Sequence, residues 1–175
     1  GFGIIGAALA LVTVLTTAMI YTQIRAVPRW HMPLTPVMFL TFALVGGAIL
    51  AGQIDLARWG SIALTTLMIA VWKVGDGQFA RAGQSMQTAT GLTGQVTVFE
   101  RGHTAGNYLL REMIYVVGRK HADRLRWITL ILLGLPVIFI TTAHNIVGMT
   151  LAATAHLIGA LAARWLFFAE AEHVV

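Results

Sequence analysis

The residues that could do chemistry in this sequence are few, and its six histidines are the first candidates. A haem b held between helices needs a histidine on each of two helices, facing inward at matching depth. His144 and His156 lie on or beside one apolar run, and twelve residues of helix turn them about 120° apart. The other four lie in predicted loops or near chain ends: His31, His103, His121 and His173. We therefore expect no haem or metal within this chain. His156, near the middle of its run, is interpreted as either functional or hydrogen-bonded to a neighbouring helix.

Other patterns of catalytic type are equally weak. The hexapeptide GFGIIG at residues 1–6 matches a dinucleotide-binding loop, but no acid follows about 20 positions later, as that fold requires. Its glycines, like Gly46 and Gly47, are better explained as small residues at a contact between helices. Glu170 and Glu172 are two positions apart and would point to different sides of a helix. The absence of cysteine excludes thiolate metal sites and cysteine-ligated clusters, so we predict no covalent chemistry by this chain alone.

The most polar segment is NYLLREMIYVVGRKHADRLRW, at residues 107–127. As a helix it would carry four polar side chains on one stripe: Arg111, Tyr115, Arg119 and Asp123. Apolar side chains cover much of the remaining surface, which predicts an amphipathic helix lying at a membrane interface. Such a segment either binds anionic lipid or docks a peripheral subunit. The whole connection, residues 75–126, is longer than lipid binding requires, which favours docking.

The elements that must carry these residues are membrane-spanning helices. Hydrophobic residues make up 57% of the 175 positions and charged residues 11%, against about 25% charged in a soluble domain. A span needs roughly 20 mostly apolar residues, and a single membrane domain is predicted with five of them: residues 1–21, 36–52, 59–74, 127–143 and 146–168. All five tryptophans fall at or just beyond predicted ends, where the head-group layer suits an indole ring. The predicted fold class is an all-α integral membrane bundle of about five helices plus an interfacial amphipathic helix.

The basic residues give this bundle a direction. With five crossings, residues 22–35, residues 75–126 and the C-terminus share one side, which carries eleven of the twelve Lys and Arg residues; Arg58 lies on the other. Because basic loops are retained in the cytoplasm, this side is predicted to be cytoplasmic. The net charge of +5 then indicates membrane topology and contact with lipid, and no nucleic acid is expected as a partner.

Three stretches together resemble one family of membrane subunits: AMIYTQIRAVPRWHMPLTP (18–36), TATGLTGQVTVFERGHTAGNYLLREMIYVVGRKHADRLR (88–126) and ARWLFFAEAEHVV (163–175). They resemble the DmsC family, anchor subunits of molybdopterin oxidoreductases related more broadly to NrfD-like quinone-reactive proteins. Within it, the likeness is to the SoeC-type anchors of sulfite-oxidising complexes more than to dimethyl sulfoxide reductase anchors. Family anchors have eight helices, and this chain matches about the C-terminal five, so we expect a piece of a longer protein. The family's His-Leu-Gly segment, associated with the quinone site, has no counterpart in it.

The resemblance implies a complex of three kinds of subunit. A catalytic subunit would hold molybdopterin, a ferredoxin-like subunit would hold iron–sulfur clusters, and the anchor would bind ubiquinone or menaquinone with no metal of its own. The implied function is to pass electrons from a cytoplasmic sulfite dehydrogenase, through the iron–sulfur subunit, to ubiquinone. The sulfur chemistry itself would belong to the partner.

Candidate residues for these roles are drawn from the basic side. A quinone needs hydrogen-bonding partners for its carbonyls and an apolar slot for its ring. The quinone candidates are Tyr21, Arg25, Trp30, His31, Asn107 and Tyr108. Docking of the iron–sulfur subunit is assigned to Arg111, Arg119, Lys120 and Arg124. Trp30 could instead serve only as an interfacial anchor, and His31 as a plain surface histidine.

Three alternatives stay open. The same kind of complex could run in reverse, oxidising quinol to reduce dimethyl sulfoxide. A haem b-containing membrane subunit would need paired histidines. A transporter or channel would need intramembrane charges or broken helices along a path, and the predicted spans hold almost none.

Overall fold

Six α-helices make up the part of the chain that the structure, a computed structural model, describes: residues 2–83, 87, 91–92, 94, 119–143 and 145–172. The helices are α1 (Phe2–Thr22), α2 (Leu34–Leu50), α3 (Ile54–Asp76), α4 (Gln78–Ala82), α5 (Ala122–Thr142) and α6 (Ile146–Ala169). Within those residues there is no strand. The predicted all-α membrane fold is confirmed. The predicted interfacial helix lies largely outside the described residues.

Four of the helices are long and apolar enough to cross a membrane, namely α1, α3, α5 and α6, with 21 to 24 residues each. Helix α2 has 17 residues, the lower end of the range of about 17–25 residues that a span needs. Helices α3 and α5 each begin five residues before the predicted span. In α3 the extra turn contains Asp55 and Arg58, which form an ion pair of 2.6 Å across that turn. In α5 it contains Asp123, an acid favoured at a helix N-terminus by the helix dipole.

Small residues set the closest contacts between helices. The contacts join α5 to α6, α2 to α3, α3 to α5, α1 to α2, and α2 to α6. A methyl group at Gly159 would come within 2.9 Å of Leu133 across the α5–α6 contact. At Gly46, on α2, it would come within 2.9 Å of the His156 ring on α6. Packing through glycine is usual for membrane helices, because the apolar surroundings give them little hydrophobic reason to associate.

The glycines predicted at helix contacts fall into two groups. Gly46 fulfils the prediction through His156, whereas Gly3, Gly6 and Gly47 have no atom within 4 Å of an added methyl group. Within the described residues, the expected contact at the start of α1 is therefore absent. That helix is almost entirely exposed, and Ala18 is its buried residue.

The five long helices alternate in direction, so their connections collect at two ends. Residues 23–33, the end of α3, the start of α5 and the end of α6 meet at one end, which we call the basic end. The connections from α2 to α3 and from α5 to α6 lie at the other. There Asn145 begins α6, and its side-chain oxygen accepts a hydrogen bond of 3.0 Å from the Gly148 amide.

Candidate functional site: an aromatic cage and a groove at the basic end

Arg164, on the last turns of α6, is enclosed by four aromatic rings, which we call the Arg164 cage. Its guanidinium carbon lies 4.6 to 5.5 Å from the ring centroids of Tyr21, Phe39, Phe167 and Phe168. One nitrogen donates a hydrogen bond of 2.6 Å to the Tyr21 hydroxyl. A charged residue costs about 2.5–3.5 kcal/mol at the centre of a span and less near its end, where Arg164 lies. Four cation–π contacts at about 0.5–1 kcal/mol each are of the same order, which explains how α6 keeps this charge.

The polar partner of Arg164 within the cage is Tyr21. Among the described residues, the Arg164 side chain forms no ion pair with an acid, and the Tyr21 hydroxyl is the hydrogen-bond partner that the structure gives it. A guanidinium has five N–H donors, so several can still reach an acceptor from outside. The Tyr21 hydroxyl accepts from Arg164, which holds the guanidinium in a fixed orientation.

An apolar groove of about 310 Å³ opens beside the cage, between α2 and α6. Its lining includes Met38, Phe39, Phe42, Leu161, Phe167 and the Arg164 side chain. Small-molecule sites typically have about 300–1,000 Å³, mostly apolar walls and a few well-placed polar groups. A groove with flat rings on its walls and one cation at its edge suits a planar ring bearing a carbonyl.

The C-terminal end of α6 carries three residues of the cage, and hydrogen bonds to its last carbonyl oxygens hold this helix end in place. The last four carbonyls of a helix have no partner within it. Here the Leu166 and Phe168 carbonyls accept from the backbone amides that follow. The Trp30 indole donates to the Phe167 carbonyl at 2.9 Å, and Arg119 donates to the Ala169 carbonyl at 3.0 Å. All four carbonyls are satisfied, so Phe167 and Phe168 are presented on a fixed helix end.

Four charged side chains form a second feature of this end, which we call the ionic network: Arg29, Asp76, Arg126 and Glu170. Arg29 lies 2.5 Å from Asp76 and 3.3 Å from Glu170. Arg126 lies 2.7 Å from Asp76 and 2.8 Å from Glu170. Two arginines thus face two acids, and the cluster as a whole is neutral. It ties the first loop, α3, α5 and α6 together at their ends.

Local features of the sequence make the ionic network possible. A methyl group at Gly75 would come within 3.0 Å of the Arg29 guanidinium, so glycine leaves a path for that side chain. The Arg126 guanidinium lies over the Trp72 ring at 5.6 Å. Glu170 has a side chain only 8% exposed, and both arginines compensate the loss of its hydration.

The chain is similar to one protein of stated function. It is 30% identical over 188 residues to the C subunit of the sulfite dehydrogenase of Allochromatium vinosum. The alignment covers 98% of this chain and 58% of that protein, so the chain spans a little over half the length of its relative. No protein-family profile and no solved structure matches the chain.

The predicted quinone residues of the first loop divide between the cage and the surface. Tyr21 belongs to the Arg164 cage, and Trp30 stacks on Phe167 with ring centroids 5.1 Å apart. His31 is exposed, with Nδ1 2.6 Å from the Thr22 carbonyl oxygen. Arg25 is exposed. The structure thus brings Tyr21 and Trp30 together and leaves His31 and Arg25 outside. Asn107 and Tyr108 lie outside the described residues.

The predicted docking residues also divide. Lys120 and Arg124 are exposed at the basic end. Arg119 instead donates to the Ala169 and Ala171 carbonyls, both at 3.0 Å, and lies 3.9 Å from Glu172. Its structural position is therefore that of a cap for α6. Arg111 lies outside the described residues.

Sequence reasoning missed Arg164, the groove beside it and the ionic network. The signal for Arg164 was present, because a charge within an apolar run is by default a functional candidate. In the sequence it was counted only as one of the eleven basic residues of the predicted cytoplasmic side. Phe39 and Phe42 carried no signal, since a phenylalanine on an apolar helix is ordinary.

Proposed function

We propose that this protein is part of the quinone-reactive membrane subunit of a sulfite-oxidising complex. The observation that carries the proposal is the similarity to the C subunit of a sulfite dehydrogenase along 98% of the chain. The all-α membrane fold and the groove beside Arg164 support it, because a quinone dissolved in lipid needs a membrane-embedded apolar site. In this proposal the anchor belongs to a bacterial inner membrane.

The overall reaction sets what the anchor must do. Sulfite and water give sulfate, two protons and two electrons, and one quinone takes up two electrons and two protons to become a quinol. This chain has no cysteine to hold an iron–sulfur cluster. In the proposal, a molybdopterin subunit therefore oxidises sulfite, a ferredoxin-like subunit carries the electrons, and the anchor supplies the quinone site.

The partner subunits are proposed to dock at the basic end, on the cytoplasmic side. Exposed bases there include Arg25, Lys73, Arg81, Lys120 and Arg124. The ionic network is neutral and contributes no net charge to this surface. A charged docking surface suits a peripheral subunit that can separate from the membrane, because complementary charges guide two proteins toward each other and orient them.

Purification of the complex in mild detergent tests the proposal. A molybdenum subunit and an iron–sulfur subunit should accompany the anchor, and the purified complex should reduce a soluble ubiquinone analogue with sulfite. If the anchor purifies without such partners, or the complex oxidises sulfite without reducing any quinone, the proposal is wrong.

Charge reversal locates the docking surface. The double variant Lys120→Glu and Arg124→Glu should release the iron–sulfur subunit while the anchor stays in the membrane, because both side chains are exposed and outside the ionic network. Arg58→Gln, which removes the base at the opposite end without placing a second acid beside Asp55, is the control and should leave the complex intact. Co-purification yields of the iron–sulfur subunit measure both. Retention in the double variant would assign docking to another surface.

A further inference from the structure

We propose that the quinone ring binds in the groove between α2 and α6, with the Arg164 guanidinium donating a hydrogen bond to one of its carbonyl oxygens. This inference rests on the proposed function and names the site within it. It moves the quinone from the loops of the basic end to a groove between two membrane helices, and of the predicted quinone residues it keeps Tyr21. Arg164 is then a binding residue, and Tyr21 is a positioning residue that acts through it.

The geometry supports this assignment in three respects. The groove has about 310 Å³ and its walls carry the Phe39, Phe42 and Phe167 rings, against which a planar ring can stack. Arg164 is the charged residue of its lining. The guanidinium is five residues before the end of α6, or roughly 7 Å along the helix axis, so the carbonyl would lie near the head-group layer.

The chemistry of the cage favours a neutral acceptor over a charged one. Four aromatic rings have their centroids 4.6 to 5.5 Å from the guanidinium carbon, and the negative face of an aromatic ring attracts a cation and repels an anion. A lipid phosphate brought there would lose hydration beside those faces, and such a loss is costly unless many donors replace it. A quinone carbonyl needs one or two donors. The carbonyl oxygen gains negative charge during reduction. A fixed cation stabilises this charged form more than it stabilises the neutral form.

Sulfite-dependent reduction of decylubiquinone by the native complex in lipid nanodiscs tests the site. We expect Arg164→Gln to raise the KM for the quinone about tenfold or more, since a hydrogen bond from a charged donor is worth about that factor. Arg164→Lys keeps the positive charge but loses the planar guanidinium with its several N–H donors. It should recover part of the quinone affinity that Arg164→Gln loses. Tyr21→Phe should raise the same KM less than Arg164→Gln does, with little change in KM for sulfite.

A second pair of variants tests the groove without substituting a residue of the cage. Leu161→Trp should fill the groove that Leu161 lines and block decylubiquinone, while Arg164 and its four rings keep their identities. Leu157→Trp, about one turn away on the same helix and similarly exposed, is the matched control and should keep wild-type kinetics. An azido-quinone should crosslink to α2 or α6 in the wild type and lose that crosslink in Leu161→Trp.

The outcomes separate the site from the function. If the wild-type complex reduces quinone but Arg164→Gln and Leu161→Trp leave its KM unchanged, the site is wrong and the function stands. If the wild-type complex reduces no quinone, the proposed function is wrong. The azido-quinone crosslink then still tests whether a quinone binds in the groove. If phosphatidylglycerol displaces the quinone analogue from wild-type protein but not from Arg164→Gln, the groove is a lipid site and the inference is overturned.

Discussion

At the scale of single residues, the contacts of Arg164 and His156 depend on partners far away in the chain. Arg164 meets Tyr21 and Phe39, more than 120 positions earlier, and His156 meets Gly46. The sequence marks each as a polar group inside an apolar run, and this was enough to single out His156. It cannot tell which helix faces them, because helix pairing in a membrane depends on small differences in packing.

Gly46→Ala is predicted to destabilise the protein by about 1–3 kcal/mol, the usual effect of overpacking. The added methyl group would come within 2.9 Å of the His156 ring, on a helix that cannot easily move away. Gly47→Ala is the matched control, since nothing lies within 4 Å of its methyl group. Thermal unfolding in detergent measures both. Equal midpoints for the two variants would contradict the close α2–α6 contact.

At the scale of the helices, the sequence predicted the five apolar helices and most of their ends to within two residues. The starts of α3 and α5 were missed because their first turns are polar and were counted as loop. Asp55 and Arg58 pair within the helix, so the helix continues beyond its apolar part. The ionic network could not be predicted, because its members are scattered from Arg29 to Glu170.

Glu170→Gln is predicted to destabilise the protein by disrupting the ionic network that holds the helix ends together. Its carboxylate is almost buried and faces both Arg29 and Arg126, and breaking such a buried pair costs about 3 kcal/mol or more. Glu172→Gln is the control, because its side chain is 56% exposed and 3.9 Å from Arg119; surface pairs contribute under about 1 kcal/mol. The unfolding midpoints of the two variants, measured in detergent at low and at high salt, compare the two effects. A loss in Glu170→Gln no larger than in Glu172→Gln would mean that the ionic network stabilises little.

At the scale of the whole molecule, the distribution of bases was readable from the sequence, because alternation of five apolar runs assigns each loop to an end. Among the described residues, the fold brings residues 23–33, the end of α3, the start of α5 and the end of α6 together, as that alternation requires. The sequence did not reveal that Arg29 and Arg126 are neutralised by Asp76 and Glu170. The bases that can meet a partner are therefore fewer than the bases on which the predicted orientation rests.

The predicted orientation can be measured by thiol labelling, since the chain has no cysteine of its own. A single cysteine at Gln53, in the short turn opposite the basic end, should react in intact cells with a thiol reagent that does not cross membranes. A cysteine at Lys120 should react only after the cells are opened, because basic loops are retained inside. The reverse pattern would place the basic end outside and remove the proposed docking surface from the cytoplasm.

The stack of Trp30 on Phe167 has a practical consequence. The planes of the two rings are 11° apart, and Phe167 also lines the groove. An indole held rigidly in this asymmetric setting should give a distinct near-ultraviolet circular dichroism band. A molecule entering beside Phe167 would shift that ring and change the band, so Trp30 would serve as a built-in optical reporter that needs no label.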